Sequence, residues 1–301
     1  MIDNMKQLIT LSESALAFYA IDFVILMIFM STLSFLADRI TKSGIKETLS
    51  HEDNFAVGIA FAGSVIAMAI LMMGVSSGEA GETYVEEITL MGAYGLAAIA
   101  LMTGTRVIFD KVNLREIKIK DEIISGNVAA GVVDAFNLIA SAIIIRAAMT
   151  WADGGTLAGL WVVAVIFLLS QVLLVLVTCL RTQSFNRHHQ DLSYQGEIKN
   201  RNIALAIRFS GHRLGVGLAL TAASGVVIYE PTLLAASLLT WLLIAVTFFA
   251  LQAALSFILK RVLLAKINTE DEVVVQHNVA IGAIEAAIDV GIGFAFVGLF
   301  V

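Results

Sequence analysis

Six ionisable residues interrupt otherwise apolar stretches late in the chain and at its middle: Asp134, Arg208, His212, Arg213, Glu285 and Asp289. Asp22 does the same near the start. In a water-poor setting each such charge costs roughly 2.5–3.5 kcal/mol, so it marks a functional candidate by default. Arg208 and His212 are four residues apart, as are Glu285 and Asp289, so each pair shares a helix face. Carboxylates, guanidinium groups and an imidazole brought together can pass protons or hold an ion, with the cations tuning the acids. They can equally pair and pin helices together with no traffic through them. Both readings are open at this point, and all six residues are expected in one buried polar cluster.

Other chemistry has little support. The chain has no phosphate-binding glycine loop, zinc-protease motif or nucleophile elbow, and no enzymatic activity, cofactor or metal site is expected. His188 and His189 lack further ligands at a metal-binding spacing and read as a solvated pair. His51 and His277 are expected at a membrane surface. The single cysteine, Cys179, cannot form an internal disulfide.

The elements that position these groups follow from composition. Of 301 residues, 58% are hydrophobic and 15% charged, and the mean hydropathy is +0.88. A soluble domain is about 25% charged. The lipid bilayer is therefore the expected solvent, and no basic domain points to nucleic acid. Apolar runs at about 15–37, 54–76, 84–109, 127–149, 156–180, 202–228, 232–259 and 278–301 are long enough to cross it as helices. The expected fold is an all-α integral membrane protein of about eight transmembrane helices. Pro231 marks the start of the seventh.

The connections alternate. Fifteen of the 19 Lys and Arg lie in the four long connections after the odd-numbered spans, and the three short connections hold none. By the positive-inside rule the long connections are cytoplasmic and both termini are not. Arg146, beside a short connection, is expected to snorkel outward. Lys6 is the one basic residue before the first apolar run, so no cleavable signal is expected.

The even-numbered spans repeat a pattern. They open NFAVGIAFAG at Asn54, NVAAGVVDAF at Asn127, NIALAIRFSG at Asn202 and NVAIGAIEAA at Asn278. Asn is a preferred helix N-cap. The fourth and eighth residues after it are small: Gly58 and Ala62, Gly131 and Ala135, Ala206 and Ser210, Gly282 and Ala286. Small residues four apart let helices approach closely in membranes, so these four spans are expected inside. Asp134 and Glu285 fall at the same place in their repeats, about 10 Å along the helix at 1.5 Å per residue. The second and fourth repeats share Asp-Glu before the Asn and N-V-A-x-G-x-x-acid-A. A fourfold helix-hairpin repeat in two duplicated four-helix halves, 1–150 and 151–301, explains this. The pseudo-symmetry axis should then run along the membrane normal.

Asp-Glu, a short spacer and G-N-V-A-A-G before an Ala/Gly-rich helix resemble the bacterial YjfL-like family, the domain-of-unknown-function family 350. The resemblance implies small four-helix inner-membrane proteins, here two tandem copies, and it brings no reaction or ligand.

The sequence thus leaves two functions open. One is a proton or ion channel- or transporter-like protein using the buried charges. The other is a structural protein whose connections 106–126 and 181–201 dock a cytoplasmic protein or lipid headgroups. A homodimer is expected where small-residue faces need partners. Topology reporters fused within residues 114–117 and after residue 301 test the orientation: the first should report cytoplasm and the second the opposite side.

Overall fold

The computed structural model describes residues 13–38, 45–77, 81–152, 156–188 and 192–301. Lys6 and His189 lie outside the described residues. Eight long helices have the length and hydropathy to cross a bilayer. The chain is a multi-pass membrane protein.

In order, the helices are α1 (Glu13–Asp38), α2 (Ile45–Ser50), α3 (Phe55–Val75), α4 (Tyr84–Ile108), α5 (Ile119–Ile124), α6 (Val128–Trp151), α7 (Gly159–His188), α8 (Tyr194–Lys199), α9 (Ile203–Val226), α10 (Leu234–Leu263) and α11 (Val279–Phe300). A π-helical turn, Phe109–Asn113, continues α4, and another, Asp271–Val275, stands before α11 where the other repeats carry a short helix. Pro231 opens one 3-10 turn that leads into α10. Two long helices run further than their hydropathy suggests: α7 to His188 and α10 to Leu263. Arg181 and Lys260 are therefore helical residues rather than loop charges.

Each even-numbered span begins the same way. A short helix or turn ends in a residue with left-handed backbone: Asp53 (φ 46°), Gly126 (81°), Arg201 (64°) and His277 (53°). Three of these four carry side chains in a region that disfavours them. Next comes the Asn, in extended conformation, whose side-chain oxygen accepts from a backbone N–H of the first turn: Val57 for Asn54, Ala130 for Asn127, Leu205 for Asn202, and Ala280 and Ile281 for Asn278. All four expected caps form.

The same amides do a second job. Asn54 Nδ2 donates to the carbonyls of Ile123 and Ile124, at 3.3 and 2.9 Å. Asn127 Nδ2 donates to Ile198 and Lys199, at 3.0 and 3.2 Å. Asn202 Nδ2 donates to Val273 and Val274, at 3.1 and 3.3 Å. Each of these three Asn thus ties its repeat to the end of the short element in the next one.

The even spans form a row: α3 packs on α6, α6 on α9 and α9 on α11. The α3–α6 and α9–α11 crossings match residue for residue. Gly63 faces Ala135, and Gly211 faces Ala286. A Cβ on Gly131 would lie 2.6 Å from the Ala56 carbonyl oxygen, and one on Gly282 would lie 2.5 Å from that of Ala204. Between the halves α6 meets α9 differently, with the Ser210 hydroxyl donating to the Val132 carbonyl at 3.5 Å. Two expectations need correcting. Gly58 is only partly covered and Ala62 is exposed, because α3 meets α6 through its second and ninth positions instead. Nor are all four even spans inside: 17 of 24 residues are buried in α6 and 17 of 24 in α9, but only 9 of 22 in α11, which stands at the end of the row.

Close approach makes these glycines irreplaceable. Gly211→Val should cost roughly 1–3 kcal/mol through overpacking. Gly92→Ala, where an added Cβ meets nothing within 4 Å, should be neutral. Thermal unfolding in detergent checks both.

Candidate functional site

The charges gather at the ends of the spans that carry the long connections, at separate places in the two halves. In the first half Asp134 of α6 is 5% exposed. Arg106, in the last turn of α4, grips it with a fork: Nε donates to Oδ1 at 3.3 Å and a terminal nitrogen to Oδ2 at 2.9 Å. The same nitrogen donates to the Ser64 hydroxyl of α3 at 2.8 Å. The pair stands at the edge of a largely apolar cavity of about 450 Å³, whose polar wall also holds Asp110 and Lys120.

The second half carries a denser network. Glu285 and Asp289 of α11 are 2% and 0% exposed. Arg208 of α9 reaches Glu285 at 3.2 Å and Glu270 at 2.7 Å. Lys260, near the end of α10, reaches Asp289 at 2.8 Å and Glu285 at 3.9 Å. His212 Nδ1 lies 3.6 Å from Asp289. The Ser256 hydroxyl donates to the Asp289 carboxylate, and Gln252 donates to its backbone carbonyl at 2.7 Å. Three helices, α9, α10 and α11, are thereby joined by charge-assisted bonds, the strong class.

This network opens on a cavity of about 760 Å³. Arg181, Arg208, Lys260, Arg261, Lys266 and Glu285 supply its charged wall, His212 adds an imidazole, and Val177, Phe249 and Phe257 form part of its apolar wall. Among the described residues Arg181 makes no ion pair within 4.0 Å, although Asp289 and Glu285 act on it electrostatically. Behind this wall, outside the spans, Tyr194 of α8 is buried, which holds its hydroxyl well above the usual range and keeps it neutral.

The six charges therefore do not form the single cluster expected. Arg208, His212, Glu285 and Asp289 meet. Asp134 does not join them, because α6 and α11 are equivalent helices two places apart in the row: Asp134 pairs with Arg106 of α4, and Glu285 with Arg208 of α9 and Lys260 of α10. Arg213 also stands apart, since one residue past His212 is about 100° around a helix. It is 3% exposed at the junction of the halves. It donates to Thr178 at 3.0 Å and lies over the Phe109 ring, 4.9 Å from its centre, so an aromatic face stands in for a counter-charge.

Three partners escaped the sequence reading: Arg106, Lys260 and Arg181 were counted with the connections. Asp22 faces Glu87 of α4. Arg146 lays its stem against Gly74, which a Cβ there would meet at 3.0 Å. His277 sits at the surface, 3.6 Å from Glu197, and His51 and Cys179 are exposed. No group of three or more His, Cys, Asp or Glu that could hold a metal ion occurs among the described residues.

No curated protein and no solved structure matches the chain. The family model described as Domain of Unknown Function (DUF350) matches it twice, over residues 5–149 and 155–300. The two matches correspond to the two halves of the row, each with two Asn-capped spans and one buried acid site. The chain belongs to the DUF350 family and carries two copies of its domain in tandem.

Proposed function

We propose that this protein is a channel- or transporter-like protein of the bacterial inner membrane, with both termini outside the cytoplasm. Its second half takes an ion from the cytoplasmic side into the cavity walled by Arg181, Arg208, His212, Lys260 and Glu285. The observation that carries this reading is the position of the network: Glu285 and its cations line a cavity of roughly 760 Å³. Cations outnumber acids along that wall, which favours an anion as the bound species. Asp289, Glu285 and His212 are the groups able to exchange a proton beside it.

One observation favours a structural reading instead. The ion pairs span α9, α10 and α11, as helix pins would. Proteoliposome flux separates the two, with proton, chloride and phosphate as probes. Wild-type flux that falls at least tenfold in Glu285→Gln and Asp289→Asn, with the variants still monodisperse in detergent, supports the transport reading. Flux unchanged by both variants removes these residues from the path. Wild-type protein that passes none of the three probes leaves the network as a pin.

A further inference from the structure

Among the described residues the row of repeats is open at both ends, and the two open ends complement each other. We infer that this chain associates with a second copy of itself head to tail, α11 of one copy packing on α3 of the next.

The first argument is the amide chain. The Nδ2 groups of Asn127 and Asn202 each serve two acceptors, an acid just upstream (Glu122, Glu197) and carbonyls of the next repeat. Asn278 Nδ2 has the acid, Glu272, at 2.7 Å, and among the described residues no carbonyl takes its second hydrogen. The first repeat shows the converse. In every repeat the Asn backbone N–H bonds a carbonyl of the preceding turn: Thr48, Glu122, Glu197 and Glu272. The next two carbonyls after Glu122, Glu197 and Glu272 are those the previous repeat's Asn reaches. The next two after Thr48 belong to Leu49 and Ser50, and among the described residues no Asn reaches them.

The second argument is shape. At the junction of the halves Ser210 of α9 meets Val132 of α6, and a Cβ on Gly217 would lie 3.3 Å from that of Ala140. Counted from the motif Asn, the matching residues are Ala62 and Ala69 on α3, and Ala283 and Gly291 on α11. Ala62, Ala283 and Gly291 are exposed, and Ala69 is partly so. A Cβ on Gly291 would meet nothing within 4 Å. A face built to meet lipid looks different: α10 presents Leu239, Leu243, Leu251 and Leu255. A small-residue face whose counterpart is covered by a helix is one that a helix covers. Such a contact is heterologous, and two copies making it twice form the smallest closed assembly.

The test is disulfide formation in native membranes between differently tagged full-length copies, all in a Cys179→Ser background. Ala69→Cys in one copy with Gly291→Cys in the other should cross-link, as should Ala62→Cys with Ala283→Cys. Leu243→Cys paired with itself should not. Asn278→Ser keeps a capping oxygen and removes the amide donor, and it should weaken association in nanodiscs about 3- to 10-fold, the worth of one hydrogen bond. Absence of both cross-links, or cross-links of Gly291→Cys with itself in place of Ala69→Cys, would overturn the proposal, as would a wild-type protein that is monomeric in nanodiscs at every lipid ratio.

Discussion

The fold depends on one side chain used four times. An Asn amide has an acceptor and two donors, and here both ends are occupied. In all four the oxygen starts a membrane span, and in Asn54, Asn127 and Asn202 the nitrogen also reaches the end of the short element in the next repeat. Each junction falls where helix termini leave backbone groups unsatisfied, and Asn127 and Asn202 are fully buried there. The crossings of the even spans depend on this. With the helix starts held at one level, Gly63 arrives opposite Ala135 and Gly211 opposite Ala286, and the backbones close to a distance that no larger residue permits.

On that shared frame the halves have diverged in charge. The seventh residue after the Asn is acidic in α6 and α11 alike, and in each case a cation near the end of the preceding odd span reaches it, Arg106 for Asp134 and Lys260 for Glu285, with Arg208 of α9 lying closer still to Glu285. The second half adds Arg208, His212 and Asp289 where the first has Ala60, Ser64 and Leu138. The result is an apolar cavity around a single forked pair in one half and a larger cavity with a basic wall in the other. One scaffold thus holds two environments of different polarity at matching depths.

Much of the architecture was legible because it rests on local signals. Eight apolar runs, a capping Asn and small residues at fixed offsets are all read within about ten residues. What was missed is non-local or hidden by averaging. The second role of each Asn involves carbonyls some 70 residues away, and no local pattern announces them. The left-handed residue before each cap is signalled by glycine at Gly126 alone. Arg106 and Lys260 sit where hydropathy falls, so they counted as loop charges, although an α-helix continues through both. The six buried charges were grouped by type and depth, while the direction each faces follows from which neighbour its helix has in the row.

The amide bonds between repeats also have a direction in time. Each Asn donates forward, to a segment made later: Asn54 waits for Ile123 and Ile124, Asn127 for Ile198 and Lys199, Asn202 for Val273 and Val274. At roughly 5–20 residues per second of synthesis, each amide stays without its partner for about 4 to 14 seconds. A span can be capped and inserted at once by its own oxygen, but it is locked to its neighbour only when the following repeat emerges. Assembly is therefore vectorial, and at every stage the newest repeat is the one holding an unfilled donor.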